Sequence, residues 1–452
     1  MNQLLKLGQT ITGETSGLTA QIDGFLGGGG QGEVYRASVD SQPLAIKWFF
    51  PHYLKQDARL RERLERAVRT GAPSDRFLWP SELAAAPGVS GFGYIMDLRE
   101  ERFKGMVDLV TRRVEPSFRA LVTAAFELAH SYLQLHARGF CYRDISFGNV
   151  FFDPATGEVR ICDNDNVDID GQPGTIGGTA RFMAPELVTG LAAPSTQTDL
   201  FSLAVLLFYL LLNHHPLEGE RETAIRCFDL PAMTRLYGSD PVFIFDPLDD
   251  SNRPQTGFHD NALAFWPIYP QFLRDLFIRA FTVGIRDSQQ GRVRESEWRA
   301  AMIRLRDAIF FCPRCGAECF YDAAALHTGP DGSLRGQPCW SCKSPLQPPL
   351  RIRIAYTAAA NLPPAVVMLN HDTQLFPHHV DHNCAYDFSQ PIAEVSRHPS
   401  DPRIWGLKNL SPDVWTAVAP AGEIRTVEPG RSMTLAAGVR IQFGSGEGEI
   451  RF

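Results

Sequence analysis

The stretch Tyr142-Arg143-Asp144-Ile145-Ser146-Phe147-Gly148-Asn149, running into Val150-Phe151-Phe152, decides how the rest of this chain is read. A carboxylate at 144 and a carboxamide at 149, in a loop ahead of an apolar strand, can set one oxygen beside an attacking hydroxyl and another on a hard metal ion. By itself an R-D-x-x-x-x-N is also what a polar surface turn looks like. The choice rests on whether groups suited to phosphate and metal occur elsewhere in a workable order.

Upstream, Ile22-Asp23-Gly24-Phe25-Leu26 leads into Gly27-Gly28-Gly29-Gly30-Gln31-Gly32-Glu33-Val34-Tyr35. Glycines let a backbone lie against phosphates and take positive φ, although a flexible hairpin tip has the same composition. Next comes Pro43-Leu44-Ala45-Ile46-Lys47-Trp48-Phe49-Phe50, a strand-like run whose single lysine must snorkel to water or find anions. Residues 56–70 read as one helix ended by Gly71 and Pro73, with Leu60, Leu64, Ala67 and Val68 as its buried stripe. Glu65 lies nearer that stripe than Glu62 and is the expected partner of Lys47, with Glu62 as the alternative. Residues before about Thr19 are polar and carry no pattern. Downstream, residues 118–138 form a long amphipathic helix, and Val159-Arg160-Ile161-Cys162-Asp163-Asn164-Asp165 reads as a short strand ending in an acidic turn.

In this order the segments resemble the catalytic core of eukaryotic-like protein kinases of the bacterial Hanks type. The glycine run fits G-x-G-x-x-G-x-V, Lys47 the strand lysine, Arg143-Asp144…Asn149 the catalytic loop and Asp163 the metal-binding turn. Gly178-Thr179-Ala180-Arg181-Phe182-Met183-Ala184-Pro185-Glu186 resembles the end of an activation segment, and Thr198-Asp199-Leu200-Phe201-Ser202-Leu203 the start of the helix whose aspartate braces the catalytic loop. The resemblance implies an α+β bilobal fold with an N-lobe over 19–98 and a C-lobe over 99–310. It implies ATP held by Gly27, Gly28, Gly29, Gly30, Gln31, Gly32, Val34, Ala45, Lys47, Met96, Asp97 and Leu98, with Glu65 orienting Lys47. Asn149 and Asp163 would hold Mg²⁺, Asp144 would orient the attacking hydroxyl, and Glu186 would pair with Arg292. Thr175 and Thr179 are the phosphosite candidates; Arg143 would grip a phosphate at Thr175, whereas Thr179 is expected against Asp144.

Four residues depart from the pattern. Tyr142 replaces a histidine, and Ser146 stands where kinases acting on serine or threonine place a lysine, which removes a cation from the transferring phosphate. Asn164 and Asp165 replace phenylalanine and glycine; Asp165 reads either as a further metal ligand or as a solvated turn acid. The expected function is a protein kinase for serine or threonine hydroxyls. The alternatives are a pseudokinase scaffold that binds without transferring phosphate, and a kinase for small molecules.

Beyond residue 310 the chain changes character. Cys312-Pro313-Arg314-Cys315-Gly316 and Cys339-Trp340-Ser341-Cys342-Lys343 are two C-x-x-C knuckles, which supply four thiolates for a closed, structural Zn²⁺ site in a ribbon over 311–348. Gly329-Pro330-Asp331-Gly332 would turn its hairpin, and Cys319 is expected to be a spare thiol. Residues 349–452 carry short strands between Pro and Gly turns, the pattern of a small β-sandwich. The closing hairpin Gly438-Val439-Arg440-Ile441-Gln442-Phe443-Gly444, a glycine-led turn into an I-x-F-G strand, makes its end resemble a forkhead-associated domain, for which Ser396, Arg397, His398 and Asn409 are candidate phosphothreonine contacts; a diverged sandwich that binds no phosphate is the competing reading. His371, His378, His379 and His382 with Cys384 form either a metal cluster or a solvated loop.

At 452 residues, 44% hydrophobic and 21% charged, the composition is that of an ordinary globular chain of several domains. A net charge of -7 gives no basic field to favour nucleic acid. The longest apolar run, 203–212, is short of the roughly 20 residues needed to cross a bilayer and reads as a buried helix. Nine cysteines without an export signal suggest thiols or metal ligands in a cytoplasmic protein. The layout resembles bacterial kinases that work with a phosphatase and a von Willebrand-type protein.

Overall fold

The computed structural model describes residues 3–172, 178–329, 334–347, 349–359, 361–398, 400–401 and 404–452. It divides into two compact units, Met1–Trp266 with Arg274–Met302, and Pro267–Leu273 with Ile303–Phe452. The expected boundary at 310 therefore falls inside the second unit.

The first unit opens with six strands, β1 (Thr10–Gly13), β2 (Thr19–Gly28), β3 (Gly32–Val39), β4 (Gln42–Phe49), β5 (Glu82–Ala85) and β6 (Gly93–Asp97), closed into a barrel in the order β1-β2-β3-β4-β6-β5. Alternation puts Ile11, Ala20, Ile22, Tyr35, Ala37 and Ile46 inside it. The lobe thus begins before residue 19: Leu5 and Ile11 are fully buried. A strand of four residues is too short to show a period, and β1 exists because β2 and β5 pair with its two edges.

A short helix α1 (Pro51–Gln56), not expected from the sequence, precedes α2 (Leu60–Thr70), and the helix expected over 56–70 is α2, starting four residues later. Asp57 interrupts them, its side chain accepting from the Arg59 amide at 3.2 Å, and α2 stops at Gly71, whose φ of 73° only glycine adopts freely. Trp79 donates to the Ala67 carbonyl at 2.8 Å and ties α2 to the barrel side.

In the second lobe the helix Phe118–His136 starts at Ser117, whose side chain accepts from the Ala120 amide. The helix Thr196–Leu212 is buried from Thr198 to Leu212, as its apolar sequence predicts. Between them the strands Val150–Phe152 and Val159–Ile161 pair as a hairpin that carries the catalytic-loop and metal-turn residues at its ends.

In the second unit, a six-stranded and a four-stranded sheet lie around one core that includes Ile352, Ile354, Val395, Leu407, Trp415, Ile441 and Ile450. Two sheets sharing a core are compatible with the expected sandwich. A smaller cluster of Phe310, Cys312, Cys319, Cys339, Leu346 and Met368 joins the cysteine module to it. The predicted hairpin turn at 329–332 lies largely outside the described residues; the flanking strands His327–Thr328 and Leu334–Arg335 pair.

Candidate functional site

Strand register puts Lys47 opposite Val34 on β3 and Tyr94 on β6, so its side chain points from the barrel toward the second lobe. It is 4% exposed and meets three groups: Asp165 at 2.8 and 3.1 Å, Asp163 at 3.3 Å and the Gln31 amide oxygen at 2.8 Å. Glu65 is not among them. It pairs with Arg61 at 3.1 Å on the outer face of α2, and Glu62 pairs with Arg66 at 2.9 Å. The inward position on α2 belongs to Arg63, which is buried against Asp57 at 2.9 Å. The helix-face argument chose the glutamate nearer the apolar stripe, but an arginine stands within that stripe.

The metal turn explains the exchange. Asp163 takes a left-handed conformation (φ 50°, ψ 44°) and starts a single 3-10 turn, Asn164–Asn166. Asn164 is fully buried and donates to the carbonyls of Leu78 (2.7 Å) and Ile161 (3.0 Å), which is how an amide serves where an apolar ring was expected. Asp165 is neither a solvated acid nor free for a metal: its side chain is 0% exposed and accepts from Tyr94 Oη at 3.0 Å as well as from Lys47. Gln31, at the tip of the glycine loop, bridges Lys47 and Asn166, donating to Asn166 Oδ1 at 3.0 Å.

On the catalytic loop, Asn149 donates to the Asp144 carbonyl at 2.8 Å and to Asp144 Oδ2 at 3.1 Å. Asp144 Oδ1 accepts from the amide and hydroxyl of Thr179 at 3.0 and 2.9 Å. Asp199 holds the loop from below by accepting from the amides of Tyr142 and Arg143. Tyr142 Oη donates to the Cys162 carbonyl and so links the loop to the residue before Asp163. Glu186 and Arg292 meet at 2.7 Å. Arg143 pairs with Asp168 at 3.1 Å, and Asp168 with Arg66 of α2 at 3.2 Å. Thr175 lies outside the described residues. Tyr94, Arg63, Asp168 and His136 are participants that sequence reasoning missed, and Asp165 is one whose role it misread; an arginine inside an apolar stripe and a second acid in the turn were the available signals.

Burial alone would push the Lys47 ammonium down, but Asp165 and then Asp163 outweigh it and raise its pKa. Desolvation pushes the Asp163 carboxyl up, against the pull of Lys47 and with the push of Asp165. His136 is nearly buried, yet the carboxylates of Asp199 and Glu295 overcome that desolvation and raise it to about 9. The donor set suits a hard cation. The Asp163 side chain is 39% exposed, and Asn149 spends its amide nitrogen on Asp144, which leaves its oxygen to coordinate. Met96 and Ala45 are buried partners across β6 and β4, with Asp97 exposed at the strand end. A separate cavity of about 570 Å³, lined by Arg221, Ile225, Pro231, Leu236 and Asp240, contains none of these groups.

In the second unit, the sulfurs of Cys312, Cys315, Cys339 and Cys342 all lie within 4.8 Å of one another, with Cys312–Cys342 at 3.7 Å and Cys315–Cys339 at 3.6 Å. Metal–sulfur bonds of about 2.3 Å in a tetrahedron give sulfur–sulfur edges of about 3.8 Å, whereas a disulfide needs about 2.05 Å. The geometry fits a shared ion. Hydrogen bonds from Ser344 pull the Cys342 thiol down to about 6, toward the thiolate a metal requires. Cys319 is buried outside this group.

The two other candidate groups make local contacts. Asn409 is fully buried and donates to the carbonyls of Asp413 (2.7 Å) and Val427 (2.9 Å), so it braces a turn and has no hand free for phosphate. Arg397 lies over the Trp405 ring, 4.5 Å from its centroid. His378 and His379 accept from the amides of Tyr386 and Phe376 at 3.0 and 2.8 Å, as local caps. Among the described residues, the four cysteines are the one group of three or more His, Cys, Asp or Glu side chains close enough to share an ion, and no histidine joins it.

Residues 100–257 match the family model for the protein kinase domain. The likeness is to protein kinases. That span contains Asp144, Asn149, Asp163, Glu186 and Asp199, while Lys47 and the glycine loop precede it. Similar proteins include protein kinase MCK1 of Saccharomyces cerevisiae, 31% identical over 30% of this chain and 36% of its own length. Serine/threonine-protein kinase pkn2 of Myxococcus xanthus is 28% identical over 43% of this chain and 24% of its own. The probable serine/threonine-protein kinase kinX of Dictyostelium discoideum is 25% identical over 51% and 22%. The chain thus spans between 22% and 36% of the length of these relatives. Among the described residues, no helix is long and apolar enough to cross a membrane.

Proposed function

We propose that the first unit is an ATP-dependent protein kinase that phosphorylates serine or threonine hydroxyls, its own included. The observation that carries this is the approach of Lys47 to Asp163, 3.3 Å across the cleft, with Asn149 fastened to Asp144 beside it. The glycine loop and Lys47 receive the nucleotide phosphates, with the adenine against Ala45, Met96, Asp97 and Leu98. Asn149 and Asp163 would hold Mg²⁺, which supplies neutralisation of the phosphate charge when bound. Thr179 occupies Asp144 Oδ1 with its amide and hydroxyl and Asn149 takes one lone pair of Oδ2, which fixes the carboxylate and leaves Oδ2 to meet the incoming hydroxyl. Asp144 then aligns that hydroxyl with the γ-phosphoryl group and takes its proton.

The test is transfer of labelled γ-phosphate from ATP to the protein and to basic substrate proteins. Asp144→Ala is expected to lose at least about a hundredfold in rate while keeping nucleotide binding, and Asp163→Ala to lose transfer and weaken binding. Label equal in wild type and Asp144→Ala would overturn the reading, and binding without any transfer in wild type would favour the scaffold.

The second unit fits a Zn²⁺-stabilised ribbon on a β-sandwich that recruits protein partners. A phosphatase and a von Willebrand-type protein, in a cytoplasmic setting, are the partners to test first.

A further inference from the structure

We propose that Asp165, and not a glutamate of α2, is the carboxylate that positions Lys47 for the nucleotide phosphates; this rests on the kinase reading and deepens it. Asp165 engages Lys47 with both oxygens, at 2.8 and 3.1 Å, from a side chain with no solvent exposure. Tyr94 Oη donates to the same carboxylate at 3.0 Å, so its rotamer is fixed from a second side. Asp165 is therefore a positioning residue that acts through Lys47.

The helix that could have supplied the carboxylate has opposite polarity. Toward the turn, α2 presents Arg63, which donates to the Asp165 carbonyl at 3.3 Å, and Arg66, which pairs with Asp168 at 3.2 Å. Its glutamates are turned outward, with side chains 62% exposed at Glu62 and 42% at Glu65. Bringing either one inward would expel Arg63 from its buried pair with Asp57 and strand a charge on each side. The carboxylate and the cations have exchanged elements.

The exchange has a chemical consequence. Both acids that touch Lys47, Asp163 and Asp165, belong to one turn, so the lysine and the cation-holding aspartate are set as a unit, in a turn that α2 reaches through Arg63. The third partner of Lys47, the Gln31 amide oxygen at 2.8 Å, sits on the glycine loop. A phosphate oxygen can take the place of that neutral acceptor while Asp165 stays in contact.

The experiment compares full-length wild type, Asp165→Asn, the double variant Glu62→Gln/Glu65→Gln, and Lys47→Met as the reference for a lost lysine. Equilibrium binding of a fluorescent ATP analogue, the KM for ATP and for the accepting protein, kcat and a melting curve are read for each. Asp165→Asn is expected to raise the Kd and KM for ATP at least tenfold, toward the Lys47→Met values, with the KM for the accepting protein within twofold. The double variant should stay within twofold of wild type in everything. Asp165→Asn binding ATP like wild type would overturn the inference alone. So would loss of affinity in the double variant, whose exposed positions leave folding intact even should Asp165→Asn fail to fold. Wild type that binds no nucleotide would overturn the kinase reading, and this inference with it.

Discussion

In the cysteine module, four sulfurs meet because two short knuckles each bend through a left-handed residue, Gly316 (φ 75°) and Lys343 (φ 59°), directly after the second cysteine. In the cleft, Lys47, Asp144 and Asp163 arrive from a barrel strand, a loop and a turn that lie far apart in the chain, and no short segment contains the site. The first site is local and made of identical ligands, so its spacing is its chemistry. The second is assembled, so a role can pass from one element to another wherever packing brings an equivalent group. The carboxylate beside Lys47 is the instance: it lies on the turn and not on α2.

The largest effect should come from breaking the local site. Metal analysis is expected to find one zinc per chain, and chelation or Cys339→Ser should unfold the module, since such an ion contributes about 10 kcal/mol to folding. ATP binding by the first unit should be unchanged, and a melting curve with an ATP titration checks both. Next comes an assembled pair: Arg292→Ala leaves Glu186 without its buried partner and should cost about 3–5 kcal/mol in urea unfolding.

A pH series sharpens the comparison for the helix base under the catalytic loop. Because His136 is raised to about 9 in the folded protein, above its unfolded value of about 6.5, its charged form stabilises fully below pH 6.5 and that contribution is lost as pH rises through 9. The stability gap between wild type and His136→Gln should therefore narrow over this window, by up to about 3 kcal/mol, as read by denaturant midpoints. The smallest effect belongs to the sandwich. Asn409→Ala should cost about 1–3 kcal/mol by orphaning the Asp413 and Val427 carbonyls, and wild type should bind no phosphothreonine peptide through this residue.

Much of the candidate loop was legible. Asp144, Asn149 and Asp199 lie close in sequence to the strands and helix that carry them, and Glu186 with Arg292 needed only a partner of opposite charge. The failures share a cause. β1 was hidden because four residues show no period, and its burial comes from neighbours on both edges. Glu65 was chosen by helix face, yet which member of a mixed Arg/Glu face turns inward depends on what waits opposite, here Asp57 and the Asp165 carbonyl. Asn409 was a candidate because the forkhead-associated resemblance implies an asparagine contact, whereas its amide closes a buried turn.

From the chain alone came the order of the kinase-like segments, the two cysteine knuckles and the short strands between turns at the end of the chain, because each is written in residue type and spacing over a short span. The tertiary structure decided which acid faces Lys47, which arginine is buried and which amide is already spent. Those outcomes depend on distances between elements, and a buried charge settles on whichever partner the packing delivers.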